Sequence, residues 1–175
     1  MTSTSDLAVV ICHGNCHTPA PYMSLVEALE AKGIESIHSF FQPKDGSLLV
    51  PPFMQFHKHG AAGLGTIVEA DKYLFNDLKT SEAERWTATL TASPVSTTKL
   101  MNNAYAALPC AYLILEGDLT LPKEYQEGMI AAQSQKTGDF TVYRCPAGHS
   151  PHLSWTQGVV NTIQDFIKKI QDQQG

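Results

Sequence analysis

The sequence predicts an α/β fold built on a mostly parallel sheet, and two observations support that prediction. Continuous apolar runs, typical of strands buried on both faces, occur near the start (LAVVIC) and in the last third (AYLILEG). Each run is followed by a helical pattern and a second strand-like segment. The chain therefore predicts two βαβ units with right-handed crossovers, and its 175 residues suffice for one domain.

The first βαβ unit occupies residues 7–41. LAVVIC is bounded by a polar tail before it and by His13-Gly14 after it. Two prolines then open a helix whose apolar positions recur at helical spacing and which ends at Gly33. The segment IESIHSF follows as the second predicted strand.

The second βαβ unit lies in the last third of the chain. After the strand AYLILEG, Pro122 begins a predicted helix that runs to about Gln135, and FTVYRC follows as the next strand. A final amphipathic helix is predicted from Trp155 to Ile170. Its apolar stripe comprises Val159, Val160, Ile163, Phe166, Ile167 and Ile170.

The middle of the chain has a different character, because it contains no clear strand pattern. TSEAERWTATL predicts a short amphipathic helix, with a capping-box-like pattern in Ser81 and Glu84. A long segment without a strand in an α/β chain is usually a lid or cap. We therefore predict a single domain, 1–175, with 42–109 as a lid-like or cap-like insertion.

Composition and charge narrow the class of protein. Hydrophobic residues make up 43% of the chain and charged residues 17%, which is ordinary globular composition. The net charge is -5 with no basic patch, so we expect no nucleic-acid partner. The N-terminus lacks a basic region before its short apolar run, and no stretch reaches the length of a membrane span. The expectation is a cytoplasmic protein that is not bound to a membrane.

The four cysteines, Cys12, Cys16, Cys110 and Cys145, have irregular spacings and lie mostly at the ends of predicted strands. This pattern favours reduced, partly buried thiols over a disulfide framework. The grouping of Cys12 and Cys16 with two histidines is a poor zinc pattern, because it straddles a strand end and a turn. We therefore expect no metal and no cofactor.

Three motifs stand at the C-terminal ends of predicted strands, where open parallel sheets place their ligands. The first is HGNCH, at 13–17, directly after the first strand. Gly14 permits a sharp turn, and backbone N–H groups near Asn15 could face a developing oxyanion. The alternative interpretation is a tight turn that binds nothing.

The other two motifs supply an acid and a base. Asp118, after the third predicted strand, could orient and charge-stabilise a histidine, or could serve only as a turn or N-cap carboxylate ahead of Pro122. His149, after the fourth strand, is the best base candidate, because imidazole titrates near neutral pH. A lone loop histidine is usually solvated and has no catalytic role. We favour a catalytic role for His149 because Asp118 precedes it in the strand–turn order expected of an acid and base pair.

Together these segments resemble a known family. VVICHGNCHTP, with a helix ending EALEAKG, resembles the opening of α/β-hydrolase-fold proteins of the plant methylesterase and hydroxynitrile-lyase type, and of many fungal hydrolase-fold proteins. LILEGDLTLPKEYQ resembles their acid-bearing strand and turn, AGHSPHLSWTQ their histidine loop, and SEAERWTATLTASPVS the end of their cap. The resemblance implies a reduced α/β-hydrolase-like, three-layer fold with a helical cap segment.

By the same resemblance, His149 and Asp118 are the catalytic base and acid. The resemblance also implies that Asn15, with Cys16 nearby, supplies oxyanion-hole N–H groups. We predict that the oxyanion and substrate-binding residues are Gly14, Asn15, Cys16 and His17. Five further polar side chains could line a pocket: His17, His57, His59, Tyr105 and His152. Residues of these types more often have a structural role or lie on the surface.

One element of the family is absent from this sequence. The family carries its nucleophile in a G-x-S-x-G elbow, whereas the glycines at 60, 63 and 65 enclose no Ser, Cys or Asp. The elbow strand, its helix and the next strand are missing. The four remaining strands either close up in the order 2-1-3-4 or take strands from a partner, and exposed edges favour a homodimer.

Without a serine, acyl-enzyme chemistry loses its nucleophile. The remaining acid and base favour a small-molecule enzyme that uses acid–base catalysis for cyclisation, isomerisation or elimination on a carbonyl-bearing apolar substrate. The resemblance to hydroxynitrile lyases implies that such non-hydrolytic chemistry suits the fold, and the resemblance to fungal proteins implies a role in specialised metabolism. One alternative is an ester or lactone hydrolase that uses activated water or an atypical nucleophile, such as Cys16 or, with poor geometry, Ser150. The other alternative is an inactive hydrolase-like binding protein.

Overall fold

The computed structural model describes residues 8–13, 25, 35–40, 52–56, 64–94 and 104–174, with the backbone alone in the first two strands. Strand β1 is Ala8–His13 and β2 is Glu35–Phe40; they pair in parallel, with Ala8 opposite Glu35. Leu25, between them, is helical and buried. These elements agree with the predicted first βαβ unit.

The second βαβ unit is also confirmed. Strand β6, Ala111–Leu115, pairs in parallel with β7, Thr141–Cys145. A helix, Lys123–Thr137, joins them. This helix begins after Pro122 and stops at Gly138, whose φ of 101° lies in the left-handed region that favours glycine.

Among the described residues, the four strands of the two βαβ units do not form the closed order 2-1-3-4. In the part of the chain that the structure describes, β1 and β2 form one two-stranded sheet, and β6 and β7 form another. Of the two alternatives that the sequence left open, the closed order is therefore not the one observed, although both parallel pairs are present. Removal of two strands from the middle of a sheet leaves the flanking pairs with no common hydrogen-bonded neighbour.

The middle segment contains strands that the sequence did not predict. Strands β3 (Met54–Phe56), β4 (Leu64–Ile67) and β5 (Ser93–Pro94) form an antiparallel sheet in the order β3-β4-β5. The longest has four residues, too few for alternation of apolar and polar residues to be visible. The assignment of 42–109 as a lid or cap stays a prediction.

Two helices follow β4 in the same segment. Helix α1 is Ala70–Tyr73, and α2 is Thr80–Thr87, which confirms the predicted short helix. The capping-box prediction is wrong, because the N-cap is Lys79 and no side chain caps the helix. A buried cluster formed by Ala70, Leu74, Phe75 and Ala83 joins the two helices, and Leu153 from the C-terminal third packs against it.

The C-terminal third contains three helices. They are α3 (Lys123–Thr137), α4 (Pro151–Ser154) and α5 (Thr156–Gln174). Val160, in the predicted apolar stripe of α5, is fully buried. A single 3₁₀ turn, Ala104–Ala106, precedes β6. No helix in the described ranges has the length and apolar character needed to cross a membrane.

Helix α3 contributes one polar side chain to the interior, and it binds the edge of β6. Gln126 is 1% exposed. Its Oε1 accepts from Leu115 N at 3.0 Å, and its Nε2 donates to Leu115 O at 3.0 Å and to Leu121 O at 2.8 Å. Because β6 pairs with β7 through its other edge, the carboxamide supplies at Leu115 the bonds that a neighbouring strand would make.

Two of the predicted thiols are described, and both are free. Cys145, at the end of β7, is buried, and burial raises the pKa of its thiol. Cys110 lies just before β6 at intermediate burial, and burial raises its pKa also. For these two cysteines the prediction of reduced, partly buried thiols is confirmed.

Candidate functional site

The turn after β6 places a buried carboxylate, Asp118. Only 2% of its side chain is exposed. Its Oδ1 accepts from the backbone N–H groups of Thr120, at 2.7 Å, and Leu121, at 2.9 Å. These bonds close a turn ahead of Pro122, which precedes α3. Asp118 therefore has the role of a turn carboxylate, which the sequence left open as the alternative to orienting a histidine.

The second oxygen of the same carboxylate faces the histidine of the next turn. His149 follows β7, and its Nδ1 lies 2.9 Å from Asp118 Oδ2. The imidazole is 32% exposed, whereas its carboxylate partner is hidden. One carboxylate therefore serves both the turn and the histidine, with a different oxygen for each.

Two backbone contacts bring the turns together. Gly117 N donates to Ala147 O at 3.1 Å, and Glu116 N donates to Cys145 O at 2.9 Å. A Cβ on Gly117 would lie 2.7 Å from Pro146 O, so only glycine permits this approach. Parallel pairing thus continues past the strand ends and delivers the acid and base side by side.

A loop from the middle segment contacts both turns. We call residues 74–79, between α1 and α2, the clamp loop. Asn76 Nδ2 donates to Gly117 O at 2.9 Å, and Asp77 Oδ2 accepts from Gly148 N at 2.6 Å. Sequence reasoning missed both residues; the only local signal was a polar pair directly after the apolar anchors Tyr73, Leu74 and Phe75.

The structure brings together the predicted acid and base, His149 and Asp118. The predicted oxyanion and substrate-binding residues, Gly14, Asn15, Cys16 and His17, lie outside the described residues, as do His57 and His59. His152 is buried at 7% exposure, and Ser150 is buried at 1%. A hydroxyl so enclosed has no access to a substrate, which agrees with the low rank given to Ser150 as a nucleophile.

A cavity of about 400 Å³ lies at the opposite end of β6, where the strand begins. Tyr105, Tyr112, Met129 and Phe140 supply most of its apolar lining, and Lys136 is its one cationic side chain. Burial raises the pKa of Tyr112, and the charge of Asp118 adds to this shift. Neither His149 nor Asp118 lines this cavity. We therefore take the histidine–carboxylate pair, and not the cavity, as the candidate site.

The pair has the geometry required for proton transfer. An Asp118 carboxylate that accepts from Nδ1–H leaves the lone pair of His149 on Nε2, and it stabilises the imidazolium formed when Nε2 takes a proton. Among the described residues, none hydrogen-bonds to Nε2. The arrangement can therefore remove a proton from a bound molecule and return it.

Comparisons with known proteins agree with this architecture. No family model matches the chain. An α/β hydrolase of Aspergillus novofumigatus, nvfD, is 33% identical over 115 residues, which cover 63% of this chain and 44% of that protein. The match thus spans less than half the length of that relative.

Solved structures resemble the chain more completely. A pyrethroid hydrolase has a TM-score of 0.69 at 14% identity, covering 95% of this chain and 99% of that one. A methylesterase from Arabidopsis has a TM-score of 0.67 at 10% identity, with 93% and 99% covered. A polyneuridine aldehyde esterase has a TM-score of 0.65 at 11% identity, with 91% and 98% covered. The TM-scores establish a shared fold, and at identities this low they establish the fold alone.

Proposed function

Because this chain has the fold of the α/β-hydrolase superfamily, we propose that it is a small-molecule enzyme that works by proton transfer without a covalent serine intermediate. The observation that carries this proposal is the 2.9 Å contact between His149 Nδ1 and Asp118 Oδ2. It occurs in a chain that lacks the G-x-S-x-G elbow. The acid and base are kept, whereas the nucleophile they would normally serve is missing.

The proposed reaction is cyclisation, isomerisation or elimination on an apolar molecule that carries a carbonyl group. His149 Nε2 takes a proton from the carbon next to the carbonyl, and Asp118 stabilises the resulting imidazolium. The enolate oxygen requires hydrogen-bond donors, and we propose that residues 14–17, which lie outside the described part of the chain, supply them. A well-placed base contributes about 10²- to 10⁴-fold to such a rate.

A second candidate is ester or lactone hydrolysis by activated water. It is favoured by the names of the structural neighbours, which are a hydrolase, a methylesterase and an esterase. The same His149 would then take its proton from water instead of from carbon. Solvent access to the imidazole, 32% exposed, suits this role as well.

Isotope experiments separate the two candidates. A panel of enolisable aldehydes, ketones, esters and lactones is incubated with the enzyme in D₂O, and exchange next to the carbonyl is followed by NMR. Parallel incubations in H₂¹⁸O show whether solvent oxygen enters a product. Carbon–deuterium exchange with no ¹⁸O-labelled carboxylate formed supports the proton-transfer proposal, whereas ¹⁸O in a new carboxylate supports hydrolysis; ¹⁸O in an aldehyde or ketone carbonyl is disregarded, because hydration exchanges it without an enzyme.

Variants test whether the pair is responsible. His149→Ala removes the base. Asp118→Asn keeps an oxygen for the Thr120 and Leu121 N–H groups but cannot accept from Nδ1–H. We expect both variants to lose at least about 100-fold in rate. Asp139→Asn, at an exposed position before β7, is the matched control and should retain full activity.

The outcome that contradicts the proposal is a rate in His149→Ala equal to that of the unaltered protein. A covalent serine/cysteine probe, read by mass spectrometry, checks the remaining alternative, since modification of Cys16 would indicate an atypical nucleophile. Absence of both exchange and hydrolysis, together with ligand binding, would indicate an inactive binding protein.

We also propose that the protein self-associates as a homodimer. In the described part of the chain, β6 pairs with β7 alone, and only the stretch at Leu115 is covered by Gln126. An open strand edge next to apolar side chains favours pairing with another chain. Light scattering coupled to size-exclusion chromatography tests this: a monomer over a wide concentration range would contradict it.

A further inference from the structure

The clamp loop contacts the acid turn and the base turn at equivalent positions. Asn76 bonds the carbonyl oxygen of Gly117, the residue directly before Asp118. Its neighbour Asp77 bonds the N–H of Gly148, the residue directly before His149. Two adjacent residues of one loop therefore fix the two backbone positions from which the acid and the base project.

The clamp loop and the residue before it also bond the far side of each turn. Asp77 Oδ2 accepts a second hydrogen bond, at 2.5 Å, from Ser154 Oγ in α4, which follows the histidine. Tyr73 O, in the last residue of α1 directly before the clamp loop, accepts from Thr120 Oγ1 at 2.6 Å, two residues after the acid. Each turn is thus held both before and after its functional side chain.

The fit between the loop and the base turn leaves no spare room. A Cβ on Gly148 would overlap Asn76 Oδ1 and would lie 2.9 Å from the Asp77 carboxyl carbon. Glycine at 148 is therefore what allows the loop to approach the backbone so closely. A displacement of the loop would move the backbone that carries the imidazole.

From these contacts we infer that Asn76 and Asp77 are positioning residues, which set the distance between His149 Nδ1 and Asp118 Oδ2 through the two glycine turns. The inference rests on the proposed function for its chemistry, but its geometry can be tested without any reaction. Among the described contacts, neither residue bonds the histidine or its carboxylate directly. Their effect on catalysis is therefore indirect.

The test uses three aspartate variants. Asp77→Ala removes the acceptor for both Gly148 N and Ser154 Oγ. Asp77→Asn keeps one acceptor oxygen and should restore part of the effect. Asp71→Ala, at an exposed position in α1, is the matched control. The full chain is labelled with ¹⁵N-histidine, and the deshielded proton between Nδ1 and Asp118 is observed by NMR.

We expect the control to keep this proton signal and Asp77→Ala to lose it or to exchange it with solvent much faster. Asp77→Asn should fall between the two. In the deuterium-exchange assay we expect kcat to fall about 10- to 100-fold in Asp77→Ala with KM little changed, since misplaced catalytic groups lower kcat. A purely structural role would lower the unfolding temperature without changing the signal of the folded protein.

The inference is overturned if folded Asp77→Ala keeps both the proton signal and kcat. If that variant does not fold, Asn76→Ala and Asp77→Asn supply the same comparison, and an unchanged signal in both overturns it equally. The proposed function fails separately: its failure would appear as full activity in His149→Ala, whatever the NMR signal of the clamp-loop variants shows.

Discussion

Replacement of Gln126 by glutamate tests the idea that a side chain stands in for a missing strand. The change is isosteric, so it leaves no cavity. Glutamate keeps the acceptor for Leu115 N but puts an oxygen where Nε2 now donates to Leu115 O and Leu121 O, at 3.0 and 2.8 Å. Both carbonyls are partly buried, and each loses its short side-chain donor, while Leu115 O keeps only the longer bond from Asp118 N at 3.4 Å; a carbonyl left without a donor costs about 1–3 kcal/mol. We therefore expect the free energy of unfolding to fall by at least about 2 kcal/mol at neutral pH.

The assay is urea unfolding at two pH values, with Gln135→Glu as the control. Position 135 is exposed in the same helix, so the same charge change there should cost at most about 0.5 kcal/mol. Burial raises the pKa of a glutamate at 126, so the folded state binds the proton more tightly than the unfolded state. The deficit should shrink as the pH falls, because a protonated acid can donate again. Equal stability of the two variants at neutral pH would refute the reasoning.

The remaining predictions concern packing, thiols and surface charge. Gly148→Ala should lower the free energy of unfolding by about 1–3 kcal/mol, because the new Cβ overlaps the clamp loop. Gly128→Ala should raise it slightly, because nothing lies within 4 Å of the new Cβ and alanine favours the helix. Thermal unfolding measures both changes. A thiol reagent should modify Cys110 well before Cys145, which is 2% exposed. Since burial raises the pKa of Cys145, stability should also fall as pH rises above the ordinary thiol pKa, and Cys145→Ala should reduce that slope in alkaline urea titrations. Lys169→Ala, which removes an exposed ion pair with Asp165, should not change the unfolding midpoint at high salt.

Sequence reasoning succeeded where the signal is local and strong. The strands AYLILEG and FTVYRC are continuous or alternating apolar runs, and the last helix carries a stripe at helical spacing. The meeting of Asp118 and His149 could also be predicted, because the carboxyl ends of parallel neighbouring strands share one edge. In each case the physics is contained in a few consecutive residues or in the parallel pairing rule.

The remainder depends on contacts between distant parts of the chain. Asn76 meets Gly117 across 41 positions, and Asp77 meets Gly148 across 71. The sequence around Asn76 and Asp77 shows only two adjacent polar residues, and it does not indicate which distant backbone groups they bond. Gln126 was missed for a related reason. A single glutamine on a predicted helix gives no sign in the sequence that it is buried, and its role becomes visible only when it is seen beside the edge of β6 at Leu115.

The double duty of Asp118 has a consequence for how descendants of this chain would diverge. Its two oxygens satisfy separate demands, one from the N–H groups of a turn and one from an imidazole. If only folding were selected, position 118 would still need an oxygen that accepts from the turn N–H groups. Asparagine would satisfy that need, because its side-chain oxygen can accept the same bonds. An aspartate at this position is therefore explained by the turn alone, whereas retention of the histidine beside it would need the proposed reaction as its reason.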